Sequence, residues 1–235
     1  MALSVEEPME HHMIPTLPSA EALAELHAQA LGDLAAALGE EETIDALAPR
    51  YAPGGFGCHE ALHATAMAAR LIREELCFHP AVAYRPDWFG RAAAASALLD
   101  ALHERIEAVH LPAVHGESAA SLPPDRLDLA ADCAAAAKAE PERKQLLREI
   151  EQEAKAEQTS PQMLREVFAP GSLGGYEAVH AASVAVNLVD AEIVGHPAII
   201  FSPTWHGRAV AALQQLEALL EAMRDAHESS DPETF

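Results

Sequence analysis

Apolar residues recur along this chain at helical spacing, and few segments alternate in the manner of a half-buried strand. Leu23, Leu26, Leu31, Leu34 and Leu38 follow that spacing and predict a helix from Ala20 to Leu38. Two pairs of longer Ala-, Leu- and Val-rich stretches come next: Gly57 to Cys77 with Pro86 to about His110, then Gly174 to Val194 with Pro203 to about His227. His-Pro closes the first member of each pair. Proline stands again in the first turn of the second member, where a missing N–H costs nothing. Thr43 and Ser160 are suited to cap a short helix ahead of each pair. Each pair reads as a helical hairpin, and the fold class expected is all-α.

Laying the chain on itself with a shift of 117 residues gives 25 identities among the 57 positions from Tyr51 to Glu107, without a gap. Ala52-Pro53-Gly54 falls on Ala169-Pro170-Gly171, His79-Pro80-Ala81 on His196-Pro197-Ala198, and Trp88 on Trp205. Chance does not align that many positions. The reading is an internally duplicated helical-hairpin bundle with pseudo-twofold symmetry, each copy covering the face that the other cannot bury alone.

The duplication sets the expected organisation. Residues 1–18 are a polar tail, 19–110 a first helical unit with its hairpin at 57–110, and 111–124 a linker rich in Pro, Ser and Gly. Residues 125–227 form a second unit with its hairpin at 174–227, and 228–235 a short acidic tail. Two helices, Asp125 to Ala139 and Pro141 to Glu157, precede the second hairpin. The latter is charged nearly all round. It is expected to face solvent as an insertion without a counterpart in the first unit, and to offer a protein partner the surface 141–157.

Charge removes several functions. With 15 basic and 37 acidic residues the formal net charge is −22, so nucleic acid and anionic membranes are repelled rather than bound by charge. No run of apolar residues is long enough for a membrane span, the N-terminal residues lack the order of a signal peptide, and the three cysteines have no metal-type spacing; a reducing cytoplasm is the expected setting. The 13 histidines are the first hint of metal or acid/base chemistry.

Polar residues that both copies keep without a packing need are the candidates for chemistry. Antiparallel pairing of the two helices in each hairpin sets Glu60 opposite Glu104 and His63 near Asp100, and repeats the arrangement with Glu177, Glu221, His180 and Glu217. A Glu and a His three residues apart share one helix face. The set Glu60, His63, Glu104, Glu177, His180 and Glu221 resembles the ligand inventory of ferritin-like bundles, which hold two Fe or Mn ions between helices. That resemblance implies a dinuclear carboxylate and histidine site, oxidase-like or for metal storage, with Asp100 and Glu217 as alternates. In the first copy His59-Glu60-Ala61-Leu62-His63 also resembles the H-E-x-x-H motif of zinc hydrolases, which implies Zn on His59 and His63; the second copy has Tyr176 in place of His59. The non-enzymatic reading is an acidic helical adaptor or inhibitor in which the same Glu and His residues form structural networks. Whether the chain is an enzyme, and its oligomeric state, do not follow from spacing.

Overall fold

The periodicity resolves into helices throughout the residues described by the computed structural model, which are 16–38, 42–115 and 125–230. Among them there is no strand, and no helix is long and apolar enough to cross a membrane. Helix α1 (Ala20–Leu38) leads to α2 (Ile44–Tyr51), which Thr43 caps by accepting from the Ala46 N–H. Helix α3 (Phe56–Leu71) passes directly into a π-helical turn (Ile72–Cys77). A four-residue helix α4 (Pro80–Ala83) turns the corner into α5 (Pro86–Val114).

The chain continues with further helices. A short α6 (Leu129–Asp132) and a 3-10 segment (Cys133–Lys138) lead into α7 (Glu140–Ala156). Helix α8 (Pro161–Val167) is capped by Ser160, and α9 (Leu173–Val189) ends in a second π-helical turn (Asp190–Val194). Helices α10 (Pro197–Ile200) and α11 (Pro203–Glu228) close the chain's described part.

The largest interface in the molecule joins α5 to α11, and α3 and α9 each pack on the long helix of their own hairpin. Alanine runs in α5 (Ala92 to Ala95) and α11 (Ala209, Ala211, Ala212) are buried, which lets these two backbones approach closely. Leu98, Leu99, Leu102 and Ile106 meet the core from α5, and Leu216, Leu219 and Met223 from α11, all fully buried.

The segments flanking the hairpins depart from expectation. Residues 125–139 form one helical turn and a 3-10 stretch rather than a single helix. Helix α7 does not stand free in solvent. It packs on α4 and α8, and Arg143 is buried at 6% exposure, bonded to both carboxylate oxygens of Glu140 (2.7 Å each) and to the Ala83 carbonyl (2.8 Å). A charged stripe can cover a helix without exposing it, because a buried guanidinium bonded to a carboxylate and a carbonyl retains its interactions. Residues 1–15, with His11 and His12, lie outside those described, as do most of the linker and residues 231–235.

Candidate functional site

Helices α3 and α5 pack against each other as an antiparallel pair. His103 donates to the Leu62 carbonyl (3.2 Å), and the Gly54 N–H donates to His110 Nδ1 (3.1 Å), both in the expected antiparallel register. The inward faces of α3 and α9, however, carry small and apolar residues: Ala61, Leu62, Thr65 and Ala68 in one, Ala178, Ala182 and Ala185 in the other. Glu60, His63, Glu104, Glu177, His180, Glu221 and the alternates His59 and Glu217 are all exposed, and Asp100 is partly so. His63 and His180 share the outer face of their helices with exposed Met67 and Val184. Among the described residues no group of three or more His, Cys, Asp and Glu side chains stands together to hold a metal ion.

The cysteines are free and mostly buried. Burial alone pushes the Cys58 thiol up to about 11, so its place at a helix N-terminus does not yield a thiolate. An ion pair across the first hairpin joins Arg73 to Asp100. Arg73 lies at the start of the π-helical turn, which takes one extra residue and rotates the residues beyond it by roughly 100°.

The polar groups that do converge are histidines at the corners. His79 caps α4 and His196 caps α10, each accepting from the N–H two residues on (3.2 Å). Each also meets the other half of the molecule. The Tyr51 ring lies edge-on to His196, with centroids 5.6 Å apart, and the Phe168 ring edge-on to His79 at 6.1 Å. Burial lowers the proton affinity of both histidines, and a carboxylate from the opposite half partly restores it: Glu177 acts on His79 and Glu60 on His196. These are long-range influences, without ion-pair contact. Glu60 of the expected metal motif thus has as an electrostatic neighbour a histidine remote from its own helix. The His-Pro corners were visible in the sequence as helix stops; their part in joining the halves was not.

Glycine makes these joins possible. A Cβ on Gly57 would fall 2.1 Å from the Tyr51 ring, and one on Gly174 2.5 Å from the Phe168 ring, so each aromatic side chain lies flat on the first turn of the following helix. At the other end, Gly54 (φ 87°) and Gly171 (φ 83°) adopt backbone angles that favour glycine, and their N–H groups donate to His110 and His227.

Two further features lie outside the candidate ligand set. Arg208, fully buried, bonds to Asp132 (2.8 Å), Asp125 (3.0 Å) and the Arg126 carbonyl (2.9 Å), pinning the segment before α7 to α11. A cavity of about 390 Å³ lies between α5, the first π-helical turn, the 3-10 segment and α7. Arg73, Ser96 and Asp100 line one end, and Phe78 and Phe89 are among its apolar wall residues.

No protein-family model, curated protein or solved structure matches the chain. The functional reading therefore rests on geometry alone.

Proposed function

We propose that the chain is a non-catalytic helical binding module made by tandem duplication, with its halves related by a pseudo-twofold axis and its repeated Glu and His residues structural. Contacts through a twofold are reciprocal: if a residue of one half touches a second residue of the other, the equivalent pair touches as well. Tyr51 with His196 and Phe168 with His79 have that form, since each partner is 117 positions from its counterpart.

The same shift carries α1 onto residues 137–155, most of which are α7, and α2 onto α8. Helix α1 packs on α10 and α11, and α7 on α4, so each half lends its leading long helix to the other. On this reading α7 is the counterpart of α1 rather than an insertion.

The observation that carries the structural role is the reciprocal seating of Tyr51 against His196 and Phe168 against His79, with Glu60 and Glu177 acting at long range on the histidine of the opposite half. A carboxylate kept in both copies has a reason to persist if it steadies the corner of the opposite copy. The dinuclear Fe or Mn site and the Zn site on His59 and His63 are the competing readings, and one set of measurements separates them. Protein purified without chelator is expected to carry no stoichiometric metal. In histidine NMR titrations, E177Q is expected to lower the pKa of His79 and leave His196 unmoved, and E60Q to do the reverse. About two Fe or Mn per chain, or about one Zn, overturns the proposal. So does a response of His63 or His180 in place of the cross-half pairs.

A further inference from the structure

We propose that the cavity in the first half binds an amphipathic zwitterion, a small molecule carrying an amine and a carboxylate close together on an apolar body. The inference rests on the reading of the halves as copies and names the ligand class of the binding module. Its volume, about 390 Å³, falls within the roughly 300–1,000 Å³ of small-molecule sites.

One end of the cavity is dipolar. Arg73 bonds to Asp100 and to the hydroxyl of buried Ser96, and both charged side chains remain about half exposed. Neighbouring opposite charges that remain half exposed offer two groups at once to a ligand: the guanidinium takes a carboxylate and the carboxylate takes an ammonium. Phe89, Ala93, Ala97 and Asp100 are all wall residues of α5, at helical spacing, so the lining runs from aromatic to charged along one face. On the opposite wall Arg143 is held by Glu140 and the Ala83 carbonyl, and exposed Glu142 adds a second carboxylate to the lining, so Arg73 is the cation left for the ligand's carboxylate.

At the corresponding place in the second half the lining residues differ, and the substitutions are informative. Leu213 and Gln214 stand where Ser96 and Ala97 open the cavity. Asp190 and Glu217 stand where Arg73 and Asp100 form the dipole. There α1 sits directly on α11, with His27 against His206 at 5.4 Å between ring centroids, whereas α7 is held off α5 by the cavity. The paired charges are therefore private to one copy, as expected of a copy that took on a ligand while the other kept only its structural task.

Calorimetric titration of the full chain with L-leucine, L-phenylalanine, 3-methylbutylamine and 4-methylpentanoate tests the proposal. The amino acids are expected to bind, and the amine and the acid to bind at least about tenfold more weakly. R73Q and D100N should each weaken amino-acid binding by about tenfold or more. The double variant S96L/A97Q, which imports the residues of the second half, should abolish it while circular dichroism shows the fold intact. Absence of amino-acid binding, equal binding of the amine or the acid, or undiminished binding by R73Q and D100N overturns the inference. None of these outcomes alters the metal content or the histidine titrations, so the structural reading stands or falls separately.

Discussion

His206 lies at 1% exposure with both ring nitrogens lacking a partner among the described residues, and burial beside His27 pushes its pKa down to about 4. A buried imidazole in that state is stable only when neutral. His79, His110, His196 and His227 are also shifted down, mainly by burial. The folded pKa is below the unfolded value in every case, so their contribution is complete above about pH 6.5 and is lost as pH falls through that value. For His206 the loss continues to about pH 4 and amounts to about 3 kcal/mol. The corresponding residue in the first half is Phe89, also buried. His206→Phe is thus expected to leave stability at pH 7 unchanged or higher, since it removes two unsatisfied polar atoms, and to flatten the acid limb of a denaturant-midpoint against pH plot. An acid limb as steep as that of the parent chain would show that His206 does not take up a proton on unfolding.

At the scale of elements, the joins depend on α2 and α8 lying flush against the helices that come after them. Gly57→Ala and Gly174→Ala force the Tyr51 and Phe168 rings off those first turns, and with them the contacts to His196 and His79. Each substitution is expected to destabilise by about 1–3 kcal/mol despite alanine's better helix propensity, measured by urea unfolding. A gain in stability would mean that the aromatic side chains can move aside freely.

Much of this level was legible in the sequence. The extent of α1, both hairpins, the Thr43 and Ser160 caps and the antiparallel register all followed from spacing and proline position. What spacing left open was angle. Glu60 and Glu104 share a level, but whether a level faces the core depends on which flank of the helix carries the alanines. The π-helical turns were illegible for a related reason: one extra residue in a turn changes no apolar pattern strongly. Likewise α7 looked unattached because its buried anchor is Arg143, a charged residue on a charged helix.

For the whole molecule, the proposed exchange of leading helices makes each half incomplete by itself. Without its partner the first half exposes the buried face of α5 together with α4, which α7 covers, and α1 loses its seat on α10 and α11. Such a surface, with Ala92, Ala94, Ala95, Leu98 and Leu102 in one stripe, is too apolar to remain in water. Cutting the chain between Val114 and Asp125 and expressing the pieces apart is therefore expected to give a first half that self-associates into a dimer. The two pieces mixed should form a one-to-one complex that restores the parent melting temperature, as mass action requires of halves that are stable only together. Size-exclusion chromatography with light scattering reads the outcome, and a folded monomeric half would refute the exchange. The charge of −22 sharpens the expectation, because two like-charged pieces that still associate in low salt must do so through the apolar α5 and α11 faces.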